Sequence, residues 1–498
     1  MSRLCHIALC LTLAILCLHG GGESLLAARQ PNVVFIIADD LGYAELGCYG
    51  QEKIRTPNID RMSAQGMRFT DHYCGNPVCA TSRCVLMTGK HSGHAYVRDN
   101  REMKNLVTKT DEIPTVFGGQ EPIPESEVTL GELFKRQGYA TAAFGKWGLG
   151  GVGTSGDPLS RGFDRFCGYN CQRHAHNFYP YYLVDDRELR LLEGNTRDLT
   201  GQTYAPDVYA DEALKFIRQH QDEPFFVYYP TIVPHLALQV PEDSLAEYKG
   251  QWEDPPYEGG HGYLPHPAPR AAYAAMVTRM DRDVGRLMQL VKDLGLDDNT
   301  IFVFTSDNGP TYDRLGGSDS DFFASAGPLR GLKGSIYDGG IRVPCIVRWP
   351  NHVAAGGVSH LPTAFYDWMP TLMELIGAAD TTPAASDGVS FAPTLLGHAD
   401  QQKEHECLVW EFPGYGGQQA VRMGKWKGVR QNLLPRGKNA PAPNLDVELY
   451  NLEEDIGEAH NIAADHPNVV SRIEQIMREQ HTKSAEFPFP ALDALVGK

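Results

Sequence analysis

The 498-residue chain is short of basic residues, with 45 Lys and Arg against 62 Asp and Glu and a formal net charge of −17 at pH 7. That balance excludes a partner gripped along a nucleic-acid backbone, and it requires any site for an anion to be made basic locally. Beyond the N-terminal region no stretch stays apolar for the ~20 residues that a bilayer span needs, which excludes stable membrane insertion of the mature chain. There is no paired His or Cys spacing of the zinc-binding kind. Internal repeats and low-complexity tracts are also missing, as is any Asn-x-Ser/Thr acceptor.

What is present begins with a leader. Arg3 precedes an apolar run from Ile7 to Leu18, followed by Gly and Ala residues as far as about Ala28, the pattern of an export signal over residues 1–28. The run is too short for a membrane anchor. An exported, periplasmic or extracellular protein is expected, and the missing acceptor sequons lean toward a bacterial one. Cleavage leaves Cys48, Cys74, Cys79, Cys84, Cys167, Cys171, Cys345 and Cys407 where disulfides can form, though spacing sets no connectivity. With 42% apolar residues the remainder can bury a large core over residues 29–397 and carry a smaller C-terminal unit over 398–498.

Asn32 to Ala38 is a run of apolar and β-branched residues that stops at Asp39-Asp40-Leu41-Gly42, which reads as a buried strand ending in a polar loop. Thr300 to Thr305 repeats the pattern and stops at Ser306-Asp307-Asn308-Gly309. Thr129 and Glu132 make a capping box for a helix to Gln137, and Tyr139 to Phe144 reads as a strand running into Gly145-Lys146. A longer helix, from about Ala271 to Leu294, is marked by Met276, Met280, Val284, Leu287 and Val291 at helical steps, with Gly295 as its stop. Helices alternating with buried strands predict an α/β fold, in which ligands collect beyond the carboxyl ends of the strands. Asp39, Asp40, Lys146, Asp307 and Asn308 are therefore candidates for one site. Pro234 to Arg270, rich in Pro, Gly, Tyr and His, reads as a long loop over it. Strand-like runs at Cys407 to Phe412 and Ala420 to Val429, with a helix near Val469 to Gln480, make up the C-terminal unit.

Asp39-Asp40 and Asp307-Asn308 offer only oxygen ligands, which suits calcium or magnesium rather than zinc. One acidic pair is more often a solvated turn or a helix cap, but two that end buried strands tip the balance toward a cation. Cys79-Ala80-Thr81-Ser82-Arg83, continued by Leu86-Met87-Thr88-Gly89-Lys90, resembles the signature of the type I, formylglycine-dependent sulfatases of the alkaline-phosphatase-like superfamily. The family pattern is Cys-x-Pro-Ser-Arg, so Thr81 stands where proline is usual. Gly145-Lys146-Trp147, Pro234-His235, Gly331-Leu332-Lys333 and Gly339-Gly340-Ile341-Arg342-Val343-Pro344 resemble further family segments, in the family's order and over nearly the whole mature chain.

The resemblance implies a large central mixed sheet sandwiched by helices, with a smaller C-terminal α+β subdomain of antiparallel sheet and helix. It implies hydrolysis of a sulfuric ester, on a sulfated carbohydrate or an aryl sulfate, by the hydrate of a formylglycine that a formylglycine-generating enzyme makes from Cys79. One Ca2+ would be held by Asp39, Asp40, Asp307, Asn308 and the modified Cys79. Arg83 would hold the nucleophile, and Lys146, His235 and Lys333 the sulfate, with His235 the preferred group to protonate the leaving oxygen and Lys333 the other candidate. The main departure is Gly148, where the family commonly reads Gly-Lys-Trp-His-Leu-Gly and so has a histidine near the nucleophile. Arg173-His174-Ala175-His176 offers His174 and His176 as imidazoles returned from another loop, and the segment from Tyr169 to Tyr182 as a lining for a sugar. Two other readings fit less of the pattern: a phosphoryl-transfer hydrolase of the same superfamily, and a sulfoglycan-binding relative without turnover.

Overall fold

Alternate residues of the first buried run leave it on opposite faces. Val33, Phe35 and Ile37 enter one apolar cluster, while Val34, Ile36 and Ala38 enter another, and all are fully buried. A strand with a wet face would need polar residues at every second position, so this one sits inside a sheet covered on both sides. The computed structural model describes residues 29–104, 113, 118–435, 437–438 and 440–496, and the leader read at residues 1–28 lies outside them.

The strands are β1 (Asn32–Ala38), β2 (Met67–Phe69), β3 (His72–Tyr73), β4 (Ala140–Lys146), β5 (Arg165–Tyr169), β6 (Tyr182–Asp185), β7 (Glu188–Leu191) and β8 (Phe225–Pro230). They continue with β9 (Thr300–Ser306), β10 (Cys345–Arg348), β11 (Gly357–Ser359), β12 (Thr363–Ala364), β13 (Leu408–Phe412), β14 (Gln418–Met423), β15 (Trp426–Arg430) and β16 (Glu448–Asn451). Ten of them form one mixed sheet in the order β11-β2-β10-β9-β1-β8-β4-β5-β6-β7. Its centre, β9-β1-β8-β4, is parallel throughout, so the carboxyl ends of these four strands share one edge. Helices cover both faces. The Pro269–Asp293 helix lays Met276, Met280, Val284, Leu287 and Val291 on one, and the Cys79–Thr88 helix lays Ala80, Cys84, Val85 and Leu86 on the other. The α/β architecture expected from the sequence is the one observed, and the Thr129–Glu132 capping box is formed.

β13 to β16 make a separate antiparallel sheet, closed by the Pro467–Glu479 helix through Val409, Val421, Leu449, Ile473 and Ile476. The single run expected from Ala420 to Val429 is in fact two strands. Gly424, at φ 56°, turns the chain so that Met423 pairs with Trp426. Behind this sheet Lys427 is fully buried, its Nζ 2.6 Å from Asp338 and 2.8 Å from Glu458. Burial alone would raise the Asp338 carboxyl, but Lys427 and Arg342 beside it hold it low. No helix among the described residues is long and apolar enough to cross a membrane.

Candidate active site

Four strand ends and one helix N-terminus build the site. Asp39 and Asp40 follow β1, Asp307 and Asn308 follow β9, Lys146 closes β4, and His235 lies a few residues past β8. The turn after β1 is anchored by Asp40 N–H on Asp307 Oδ1 at 3.1 Å and by Leu41 N–H on Ser306 Oγ at 2.9 Å. Asp40 takes φ 64°, a left-handed conformation that costs a non-glycine residue roughly 1–2 kcal/mol and that the surrounding bonds sustain. A Cβ on Gly309 would lie 2.0 Å from Gly339 O, so the two glycine-bearing segments pass with their backbones in contact.

Cys79 is the first residue of its helix and is 1% exposed. Its Sγ lies 3.3 Å from Asp39 Oδ1, 3.8 Å from Asp40 Oδ1 and 3.6 Å from Lys333 Nζ. Burial, and then Asp307 and Asp39, push its thiol well above the ordinary value. One turn along the helix, Arg83 donates through Nε and Nη2 to Asp307 Oδ2 at 3.0 and 2.8 Å, and through Nη1 to Lys146 O at 2.6 Å. Lys146 Nζ meets Asp39 Oδ2 at 2.7 Å, and Lys333 Nζ meets Asp40 Oδ2 at 2.7 Å.

Lys333 Nζ is also 3.0 Å from His235 Nε2, while His235 Nδ1 faces Leu236 O at 2.5 Å. The two contacts define the tautomer: Nδ1 carries the proton and Nε2 accepts from the ammonium. Burial pulls Lys333 down, but Asp40 more than offsets it and holds the ammonium charged. Burial, Lys333 and Lys146 hold His235 neutral.

Asp39, Asp40, Asp307 and Asn308 are all fully buried, and Asn308 Oδ1 has no hydrogen-bond partner among the described residues. Three carboxylates and one bare amide oxygen, converging in a dry site, are a hard-oxygen donor set that fits Ca2+ or Mg2+.

The expected residues therefore assemble, with one exception. His176 stacks on His235 at 4.5 Å between ring centroids, with Tyr263 OH 3.5 Å from its Nδ1. His174 packs between Tyr169 and Tyr182, at 4.9 and 4.2 Å, in the protein interior. Burial, helped by Arg197, lowers its imidazole to about 3. The segment from Tyr169 to Tyr182 is mostly core: Tyr169, Phe178, Tyr179 and Tyr182 are all buried. Rings that do face the site come from elsewhere. Tyr263 lies in the long loop, which also contains the short Glu242–Leu245 helix, and Tyr312 follows β9 beneath the Lys333 ammonium and bonds Tyr415 of the β13–β14 loop. Sequence reading missed these three; the aromatic content of Pro234 to Arg270 was the available signal for Tyr263, and nothing in the sequence singled out Tyr312 or Tyr415.

A sulfatase family model matches residues 31–378, and one for the C-terminal part of N-sulphoglucosamine sulphohydrolase matches 332–485. The chain belongs to the sulfatase family and is an enzyme of that family. It is 32% identical over 492 residues to human arylsulfatase A, covering 91% of this chain and 88% of that one. It is 30% identical over 447 residues to human N-acetylgalactosamine-6-sulfatase, covering 86% and 78%. The crystal structure of Ps i-CgsB in complex with k-i-k-neocarrahexaose superposes with a TM-score of 0.75 at 26% identity, covering 94% of this chain and 97% of that one. A phosphonate monoester hydrolase of Agrobacterium radiobacter shares the fold, with a TM-score of 0.61 at 20% identity.

Proposed function

We infer that the protein hydrolyses the sulfate ester of a sulfated carbohydrate, through a formylglycine made from Cys79 and with one Ca2+ held by Asp39, Asp40, Asp307 and Asn308. The observation that carries this is the setting of Cys79. Its sulfur is buried beside carboxylates, and burial first, then Asp307 and Asp39, keep it protonated, which makes it a poor nucleophile and a sensible precursor to something else. As a hydrate, formylglycine supplies an oxygen nucleophile and a built-in way to expel the product; the cation supplies positive charge where the anionic oxygens gather.

The chain's own residues do the remainder. Lys146 and Lys333, each now held by an aspartate at 2.7 Å, can turn to the non-bridging oxygens of a sulfate and make an acidic protein basic at this one place. Of the two groups expected at the leaving oxygen, Lys333 bears the proton to give, and His235 holds it there through Nε2. His176, neutral and stacked on His235, is the imidazole available where Gly148 supplies none. Tyr263, Tyr312 and Tyr415 present ring faces suited to a sugar. The names of the relatives, an N-acetylgalactosamine-6-sulfatase and a protein crystallised with k-i-k-neocarrahexaose, support that substrate class. Maturation by a formylglycine-generating enzyme and export through the leader complete the reading.

The reading is tested by co-expression with a formylglycine-generating enzyme. Mass spectrometry of the Cys79 peptide is expected to give the aldehyde, and the protein to release sulfate from 4-nitrophenyl sulfate in a calcium-dependent way. Cys79 left as a thiol in inactive protein would favour the binding relative without turnover.

The two histidines of the Arg173 turn are both held neutral by burial and separate by their effect on turnover. In the unfolded chain His174 protonates below about 6.5, while in the folded protein it stays neutral to about 3, so its folded pKa is depressed and stability falls as pH drops through that window. The slope is about 1.4 kcal/mol per pH unit. His174→Phe is expected to flatten the acid side of a plot of melting temperature against pH, with hydrolysis kept. Burial, and then His235, hold His176 below its ordinary value as well, so His176→Ala is expected to flatten the same acid side but, unlike His174→Phe, to cut kcat roughly 10²- to 10³-fold. Equal effects of the two on turnover would remove the distinction drawn here.

A further inference from the structure

Gly148 has φ 80°, and a Cβ there would lie 2.1 Å from Gln172 Nε2. The Gln172 side chain thus fills the space into which a longer residue at 148 would project, two positions past Lys146. Gln172 is 5% exposed and Asn170 is 3% exposed. Among the described residues, neither Nε2 and Oε1 of Gln172 nor Nδ2 and Oδ1 of Asn170 has a hydrogen-bond partner. A buried amide left bare is costly, and packing does not account for two of them, because apolar side chains fill the same volume without the cost.

Both residues are held at the edge of the site. Gln172 N–H donates to Gln120 Oε1 at 2.8 Å, Gln120 Nε2 donates to Asn100 O at 3.0 Å, and Asn100 Oδ1 accepts from Ala80 N–H at 2.8 Å, one residue from Cys79. Asn170 directly follows Tyr169, the register partner of Lys146 across β5 and β4.

We propose that the carboxamides of Asn170 and Gln172 form a hydroxyl-binding subsite beside the sulfate position. Sulfate oxygens only accept; they would satisfy the amide nitrogens and leave Oε1 and Oδ1 bare. A hydroxyl both donates and accepts, so hydroxyl partners satisfy both ends of both amides. Such groups come from a sugar ring next to its sulfated carbon, or from the hydrated form of the modified Cys79. The subsite rests on the sulfatase reading above and adds to it a preference for polyhydroxylated esters over aryl esters.

The test is Gln172→Met, which keeps the volume and removes the amide, in matured enzyme. It is assayed on 4-nitrophenyl sulfate and on a panel of mono-sulfated mono- and disaccharides. On the sugar that the wild type hydrolyses fastest, kcat/KM is expected to fall roughly 10- to 100-fold, as for loss of two neutral hydrogen bonds, and to stay within about threefold on the aryl ester. The melting temperature is expected to equal or exceed that of the wild type, because two bare polar atoms are gone. Asn170→Leu, as a second variant, is expected to repeat the pattern. An equal fall on both substrates, without loss of stability, assigns the contact to the hydroxyls at the modified Cys79. Unchanged kcat/KM on the sugar, or a loss that only follows a lower melting temperature in both variants, overturns the subsite. So does a wild type that cleaves the aryl ester and no sugar of the panel. A wild type inert on every ester instead overturns the underlying reading.

Discussion

Cys79→Ala is expected to lower kcat for sulfate-ester hydrolysis by roughly 10⁶, the scale seen when a nucleophile is removed outright. The protein should melt close to the wild type. Position 79 opens a helix whose ten residues are all buried, alanine is the best helix former, and the only bonds lost are the weak contacts of Sγ with Asp39, Asp40 and Lys333. The informative companion is Cys79→Ser. A serine oxygen in the same place has carboxylates and an ammonium around it, and its neighbours include no imidazole at position 148, so it should turn over poorly as well. Wild-type turnover in the serine protein, measured as released sulfate, would mean direct attack by a hydroxyl and would bring back the phosphoryl-transfer type of chemistry.

Asp307→Ala should remove bound calcium and activity together and should also weaken the fold. Asp307 Oδ2 is the bidentate partner of Arg83, and both side chains are fully buried. Burial pulls the guanidinium down in pKa while Asp307 more than restores it. Deleting the carboxylate leaves the buried guanidinium with only the longer 3.8 Å contact to Asp39 as an ion pair among the described residues, at a cost of up to about 3–5 kcal/mol. Metal analysis by mass spectrometry beside thermal unfolding checks both parts. Lys146→Ala is the control, since it touches the same cluster through Asp39 but brings no oxygen ligand: calcium should stay while affinity for the sulfate ester drops. Full calcium content in the Asp307 variant would sink its assignment as a ligand.

The strand ends were readable because a buried parallel strand announces itself as an unbroken apolar run, and an acid placed directly after it has few structural reasons to be there. Asp39, Asp40, Asp307, Asn308 and the stretch before Lys146 follow from that alone. Lys333 and His235 do not; they sit in irregular loops and were legible only through the family resemblance. His174 and His176 are two residues apart in a tight turn, which sends one ring into the core and the other onto His235, and no periodicity predicts which. Gln172 was hidden for a related reason. In sequence it is an ordinary polar loop residue, and the departure at Gly148, read only as something missing, marked the space that Gln172 fills.

Asp39, Asp40, Lys146, Asp307 and Asn308 lie on the edge of the parallel sheet, whereas Tyr263, Tyr312 and Tyr415 reach it from three separate loops, one of them in the C-terminal sheet. Lys427, clamped between Asp338 and Glu458, fastens that second sheet to the segment leading into Gly339-Gly340 rather than to the loop that carries Tyr415. On the proposed reading the sugar contacts are thus shared between the sheet edge, where Asn170, Gln172 and Tyr312 lie, and the loops that carry Tyr263 and Tyr415. On that reading, exchange of the β13–β14 loop is expected to shift which sugar is accepted while the groups around Cys79 stay in place.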